Sequence, residues 1–199
     1  MKLYYSPGAC SMSPHIVLAE SGVAADLVKV SLQSHKLEDG TDYYTINSKG
    51  AVPALRLDDG SVLTEGPAIV QYIADKAPAS KLAPANGTLE RYRLQEWLNY
   101  ITAELHKTLS ILFDKSITDD YRAATRARVA KRIEWIAAQL GSKQYLMGDP
   151  FTVADAYLFT MLTWHDWLTF DLGALQPYFD RVRARPKVID VLKSEVRYQ

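Results

Sequence analysis

Up to about residue 77, apolar residues come in short runs punctuated by Gly, Pro and Asp-Gly. From residue 88 onward they recur at helical spacing. Residues 2–6 (KLYYS) are aromatic-rich and stop at Pro7-Gly8, which predicts a strand ending in a turn. Residues 11–20 follow with Ile16, Val17, Leu18 and Ala19. Ser11 or Ser13 can cap this segment, Pro14 suits a first turn and Gly22 a stop, so it reads as a helix. Leu27-Val28-Lys29-Val30 predicts a second strand, and strand–helix–strand favours a parallel pair joined by a crossover helix. Residues 33–50 are polar and mixed and predict a loop with one helical turn. Val52 to Leu57 and Ser61 to Thr64 flank Asp58-Asp59-Gly60, the pattern of a β-hairpin whose Gly supplies positive φ. Glu65-Gly66-Pro67 then opens a helix carrying Ala68, Ile69, Tyr72 and Ile73.

Residues 78–86, including PASKLAP, have the composition of a linker, and nothing after them reads as a strand. Leu89, Tyr92, Trp97, Leu98, Ile101, Leu105, Leu109 and Leu112 mark one helical face; Tyr121, Val129, Ile133, Ile136 and Leu140 mark another. Phe151-Thr152-Val153-Ala154-Asp155 fits a capping box, Thr at the N-cap and Asp at N3, with Phe151 placed to staple onto Ala156. A helix is expected from there to about Trp164, and Pro177 and Pro186 each start one more. The expected organisation is an α/β domain over 1–77, a linker over 78–86 and an all-helical domain over 87–199.

The overall charge narrows the possible partners. Lys plus Arg and Asp plus Glu are both 23, so the chain has no basic field for nucleic acid or an anionic membrane. No apolar run approaches a membrane span, and the apolar stretch after Met1 is too short for a signal peptide. A single cysteine cannot form an internal disulfide, which suits a reducing cytoplasm. One Cys and four scattered histidines (15, 35, 106 and 165) show no metal-ligand spacing, and no phosphate loop or dinucleotide fingerprint is present.

The candidate chemistry starts at Cys10. A lone Cys is usually a small buried apolar group. This one falls at or just before a helix N-terminus, where unpaired N–H groups and the helix dipole favour a thiolate. Strand–turn–Cys–helix is also the geometry of thioredoxin-like redox sites. The run Cys10-Ser11-Met12-Ser13 lacks the second sulfur, so any redox chemistry must use an external thiol such as glutathione. Val52-Pro53 reads as a strand-initiating Pro or as a cis bond facing the Cys turn. In the second case Val52 could pair its N–H and C=O with an extended thiol peptide. Thr64-Glu65-Gly66 is an ordinary acidic helix start, or a cradle for an α-amino acid headgroup in which amides near Gly66 hold a carboxylate and Glu65 an ammonium. His35 and Lys36 are solvated surface groups or partners for a ligand carboxylate. Asn99, Glu104 and His106 could border an interdomain cleft, where a His could stabilise a thiolate or relay a proton.

Together these segments resemble the bacterial beta-class glutathione S-transferases. The resemblance rests on YYSPGACS (4–11), NSKGAVPAL (47–55), LTEG (63–66), EWLNY (96–100), ELHK (104–107) and FTVADAYL (151–158), and it spans essentially the whole chain. It implies a thioredoxin-like N-terminal domain in the order β-α-β-α-β-β-α, an all-α C-terminal domain, a cytoplasmic homodimer, and glutathione as co-substrate with no metal. It implies that Cys10 lies against the glutathione sulfur and can form a mixed disulfide with it. Val52, beside Pro53, would supply the backbone pair, and Glu65 and Gly66 would hold the γ-glutamyl end. His106, Lys107 and Asn99 would lie near the sulfur and the peptide, and Glu104 would reach toward glutathione across the dimer. The implied activity is conjugation of glutathione to hydrophobic electrophiles; the alternatives are thiol-disulfide exchange, peroxide reduction or dehalogenation through Cys10. A non-enzymatic ligand carrier or interaction protein has no need for the thiol, the Pro and the Glu-Gly start together. Trp164, His165 and Trp167 are candidates for an electrophile pocket. Two positions depart from the family pattern: His35 stands where a Lys is usual, with Lys36 beside it, and Gly66 where a Ser is common.

Overall fold

A computed structural model describes residues 1–195 and divides into two compact units: Met1–Ala83 with the segment from Arg185 onward, and Pro84–Ala184. In the first unit, β1 (Lys2–Tyr5) runs parallel to β2 (Asp26–Ser31), and α1 (Met12–Ser21) is the crossover between them. Gly22, at φ 73°, ends α1 in the left-handed conformation that glycine adopts without strain. β4 (Ala54–Arg56) and β5 (Val62–Thr64) form the hairpin read from Asp58-Asp59-Gly60, and β4 pairs antiparallel to β1. α2 (Gly66–Lys76) follows.

The segment 33–50 carries the one helical turn expected of it and adds a short strand to the β-α-β-α-β-β-α order. Its second α is a single 3-10 turn, Tyr43–Thr45, and a two-residue strand, β3 (Lys36–Leu37), joins the edge of β2. The five-stranded sheet therefore has the order β3-β2-β1-β4-β5. The physical reason is local. Gly40 takes φ 86°, Asp42 caps the turn by accepting the Tyr44 N–H at 3.0 Å, and no apolar period is present to bury a longer helix. Tyr43 anchors the segment instead: it is fully buried and its hydroxyl donates to the Ala51 carbonyl at 2.9 Å.

Strand alternation sorts the core of this unit. Leu3 and Leu55 lie opposite each other and are fully buried, as are Ile16 and Val17 of α1 and Ile69, Val70 and Ile73 of α2. Tyr4 and Ala54, the next pair along, join a second cluster with Ala9, Val30, Tyr43 and Val52. Burying each large aliphatic side chain contributes about 1.5–3 kcal/mol. Neither Ser11 nor Ser13 caps α1. Ser11 Oγ accepts the Ser6 N–H at 3.0 Å and donates to the Ser6 carbonyl at 3.2 Å, closing the turn between them. Ser13 buries its hydroxyl without a hydrogen-bond partner among the described residues.

The last helix, α9 (Pro186–Ser194), packs on α1 and so belongs to the first unit, although the sequence reading placed it in the helical domain. Arg185 ties it down by donating Nε and Nη2 to the two carboxylate oxygens of Glu20 at 2.7 and 2.8 Å, a bidentate pair.

The second unit is helical among the described residues: α3 (Leu89–Tyr100), a π-helical segment Ile101–His106, α4 (Lys107–Ile111), α5 (Asp119–Leu140), α6 (Val153–Leu162), a short α7 (His165–Leu168) and α8 (Gln176–Arg183). The stripe expected along 88–113 is buried at Leu94, Leu98, Ile101, Leu105, Leu109 and Leu112, but Leu89 and Tyr92 at its start are exposed. Thr152 and Asp155 form the predicted capping box at α6. Asp155 does more than cap: its fully buried carboxylate accepts the Leu146 N–H at 2.8 Å, the Thr152 N–H and hydroxyl at 2.9 Å each, and the Tyr178 hydroxyl at 2.9 Å. Among the described residues, no helix is long and apolar enough to cross a membrane.

Candidate functional site

Cys10 lies in the turn that leads into α1, two residues before the first helical residue, and is half-buried. The turn is held by its own backbone: the Ala9 N–H donates to the Ser6 carbonyl at 3.0 Å and the Met12 N–H to the Ala9 carbonyl at 3.0 Å. The Ser13 N–H donates to the Cys10 carbonyl at 3.2 Å, so the amides of Met12 and Ser13 are already engaged within the turn. The Cys10 thiol donates to the Val52 carbonyl at 3.2 Å. Only the protonated sulfur can make that bond.

The same contact brings Cys10 to Val52-Pro53, whose peptide bond is cis. Beyond it lies the start of α2, where a Cβ placed on Gly66 would approach Pro53 Cγ at 3.9 Å. Glu65 is the residue before α2 and takes φ 71°, a conformation uncommon for a non-glycine residue. Its exposed carboxylate is paired by Lys49 Nζ at 2.5 Å, and Lys49 also donates to Thr64 Oγ1 at 3.1 Å. His35, at φ 52°, lies on the other side of the same loop. Its Nδ1 is 3.2 Å from the Gly50 carbonyl and its ring lies 4.7 Å from that of Tyr44. A carbonyl only accepts, so Nδ1 carries a proton; a neutral His35 then presents Nε2 as an acceptor, and an imidazolium presents it as a donor. Lys36 is exposed on β3. The first unit therefore brings Cys10 onto Val52, next to Pro53, with the Glu65-Gly66 helix start near Pro53. His35 joins them through Gly50, two residues before Val52.

Two contributors to this site have no signal in the local sequence. Glu195 is 4% exposed and follows α9. Its Oε2 accepts the Gly8 N–H at 2.9 Å and its Oε1 lies 2.8 Å from His15 Nδ1, so it braces the Cys10 turn from a distance of 187 residues along the chain. Lys49 lies in a polar loop, and only the fold brings it to Glu65.

In the second unit the predicted residues cluster around the π-helical segment, a form that recurs at functional sites in helices. His106 ends the segment, half-buried, with Nδ1 2.7 Å from the Tyr157 hydroxyl and its ring edge-on to Trp164 at 5.4 Å. Burial, with a smaller contribution from the neighbouring Lys107 charge, pushes the His106 imidazole down to about 4. The ring is therefore neutral at physiological pH. Glu104 accepts Arg132 Nη2 on its carboxylate at 2.6 Å and Arg132 Nε on its carbonyl at 3.0 Å, so a residue of its own chain holds the side chain. Asn99 and Lys107 are exposed. Of the three expected electrophile-pocket residues, Trp164 is buried beside His106, His165 packs edge-on against Phe179, and Trp167 is exposed. Among the described residues, no group of three His, Cys, Asp or Glu side chains converges as a metal site would require.

Comparison with known proteins gives the arrangement a family. Residues 8–76 match the glutathione S-transferase N-terminal domain and residues 100–186 the glutathione S-transferase C-terminal domain. The chain is 44% identical over 198 residues to glutathione S-transferase GstA of Escherichia coli O157:H7, covering 98% of each. A sphingomonad glutathione S-transferase solved in complex with glutathione superposes with a TM-score of 0.94 at 44% identity, over 98% of both chains. The bacterial beta-class enzyme of Sphingomonas chungbukensis superposes with a TM-score of 0.93 at 45% identity, again over 98% of both. With both domain models matched and such similarity running the length of the chain, the chain belongs to the glutathione S-transferase family, in its bacterial beta class.

Proposed function

We propose that the protein is a transferase that binds glutathione on the first unit and conjugates its sulfur to hydrophobic electrophiles. The observation that carries this reading is the Cys10 thiol bonded to the Val52 carbonyl, next to Pro53, in a chain that belongs to this family. Glutathione would lie along Val52 in the manner of an added strand, its γ-glutamyl ammonium on Glu65, its α-carboxylate on the amides at the start of α2 and its thiol beside Cys10. The glycyl carboxylate would meet His35 or Lys36. Gly66 leaves room for a serine, since a Cβ there meets Pro53 at ordinary contact distance. Its absence costs one hydrogen bond, about 0.5–1.5 kcal/mol, and not the site.

His106 is assigned a catalytic part on family resemblance; its imidazolium is scarce above pH 4 or so, so it would act as a neutral ring. Asn99, Glu104 and Lys107 are assigned to the peptide on family resemblance. A homodimer accords with the exposed apolar residues Leu89, Tyr92 and Trp135 on α3 and α5. Thiol-disulfide exchange through Cys10 is a second reading, favoured by the half-buried thiol beside the proposed position of the glutathione sulfur.

The test is retention on immobilised glutathione together with conjugation of 1-chloro-2,4-dinitrobenzene. A protein that neither binds nor conjugates would end both enzyme readings and leave a ligand carrier or interaction protein. Glu65→Ala is expected to raise the KM for glutathione by about tenfold or more, because a charge-assisted bond of roughly 1.5–3 kcal/mol is lost. Lys49 pairs with this carboxylate, so the ammonium of glutathione must displace or share it. An unchanged KM would move the γ-glutamyl end elsewhere.

A further inference from the structure

We infer that Tyr44 is a positioning residue: its ring, seated on Gly50 and against the His35 imidazole, holds His35 in place for the glycyl carboxylate of glutathione. This rests on the reading above that glutathione lies along Val52 with its glycyl end at His35.

A lysine ammonium is a point charge with three rotating donors, and it meets a carboxylate from many directions. An imidazole carries two nitrogens in a rigid ring, and at His35 one of them is engaged: Nδ1 lies 3.2 Å from the Gly50 carbonyl. Nε2, which donates when the ring carries its second proton, is the nitrogen left for a carboxylate, so the ring has to be aimed. A single hydrogen bond at the long end of the ordinary range leaves the imidazole able to turn about it.

Tyr44 removes that freedom by closing a triangle. Its ring lies 4.7 Å from the His35 ring, with 34° between their planes. Its edge covers Gly50: a Cβ placed on that residue would come within 2.5 Å of Tyr44 Cε1 and 2.9 Å of Cζ. Gly50 is thus required twice, by its φ of 64° and by the ring that fills the space of a side chain. The backbone under each corner is fixed. The His35 N–H donates to the Ser31 carbonyl at 2.8 Å, and the His35 carbonyl accepts the Tyr43 N–H at 2.8 Å. The Tyr44 N–H donates to Asp42 Oδ1 at 3.0 Å, and the Gly50 N–H to the Asn47 carbonyl at 2.8 Å. Tyr44 is 49% exposed, so its ring is held by the two neighbours it covers and not by the core. All three residues belong to the first unit, and Gly50 stands two residues before Val52.

The experiment compares KM and kcat for glutathione and for its glycyl monoethyl ester, which keeps the tripeptide and removes one charge, in conjugation of 1-chloro-2,4-dinitrobenzene by the full-length protein. The wild type is expected to show a KM for glutathione about tenfold below that for the ester. Tyr44→Ala is expected to raise the KM for glutathione by about threefold to tenfold, with kcat and the KM for the ester each within about twofold of wild type. Tyr44→Phe keeps the ring carbons that cover His35 and Gly50, and its KM is expected within about twofold of wild type. In a His35→Ala background, Tyr44→Ala is expected to add less than about twofold, because Tyr44 acts through His35. An unmoved KM for glutathione in Tyr44→Ala overturns the proposal. So does an equal rise for glutathione and the ester, which marks a distorted loop, or a Tyr44→Phe variant that behaves like Tyr44→Ala, which places the effect in the hydroxyl. A full further loss in the His35→Ala background overturns it as well, by showing another route. A wild type that uses glutathione and the ester equally also overturns it, and leaves the transferase reading standing. A wild type that neither binds nor conjugates glutathione ends that reading and this proposal with it.

Discussion

Cys10→Ala is expected to reduce glutathione-dependent disulfide exchange to the uncatalysed rate while conjugation of 1-chloro-2,4-dinitrobenzene stays within about tenfold of wild type. Exchange needs a protein thiolate that attacks a disulfide sulfur and expels a thiolate, leaving a mixed disulfide that a second glutathione resolves. The chain has one cysteine, so nothing else can take that role. Conjugation needs only the sulfur of glutathione as nucleophile. The Cys10 thiol is bonded to the Val52 carbonyl at 3.2 Å, and a thiol is a weak donor, so its removal deletes at most one weak contact to the substrate sulfur. The two activities are measured on the same preparation. If conjugation collapses together with exchange, Cys10 stabilises the glutathione thiolate and the division of roles is wrong.

Asp155→Ala is expected to destabilise the helical unit by about 3–5 kcal/mol, read as a fall in the urea midpoint of the helical signal. The carboxylate is fully buried and accepts from Leu146, Thr152 twice, and Tyr178, which ties the start of α6 to the segment before it and to α8. Burial pushes its carboxyl up, and the four donors pull the other way. Truncation leaves two backbone amides and two hydroxyls without their acceptor and opens a small cavity as well. Asp155→Asn keeps the volume but turns an amide NH2 toward some of those donors, so its loss should be smaller, about 1–3 kcal/mol. A midpoint unchanged in Asp155→Ala would show that the other ends of these bonds find new partners.

Much of this architecture was legible because it is set by local chemistry. Pro7-Gly8, Gly22 and Asp59-Gly60 mark turns that only a few backbone conformations satisfy, and the structure places its turns there. Thr152 and Asp155 announce a helix start by their spacing alone, and the cap is present. The segment 33–50 was harder to read because its one strong anchor, Tyr43, is buried by residues elsewhere in the chain, and a two-residue strand leaves no period to detect. Leu89 and Tyr92 fit the helical spacing but are exposed, since spacing reports a face and not what covers it.

The site divides along the same line. Cys10, Val52-Pro53 and Glu65-Gly66 each sit at a turn or helix start that the sequence marks, so both their positions and their local chemistry could be proposed. Their neighbours could not. Glu195 reaches Gly8 and His15 across most of the chain, and Arg132 takes Glu104 from another helix. The neutral state of His106 depends on burial, and its partner Tyr157 lies 51 residues away. Such long-range pairings leave no pattern in one sequence, because either residue alone reads as an ordinary surface or core position.

Titration calorimetry of glutathione into the wild-type protein, beside the dipeptide Cys-Gly and S-methylglutathione, tests the central claim most directly. The account predicts saturable binding of one glutathione per chain, binding of Cys-Gly weaker by about tenfold or more because the Glu65 and Gly66 contacts are missing, and retention of most affinity by S-methylglutathione. No heat from glutathione, or equal affinity for glutathione and Cys-Gly, would contradict it.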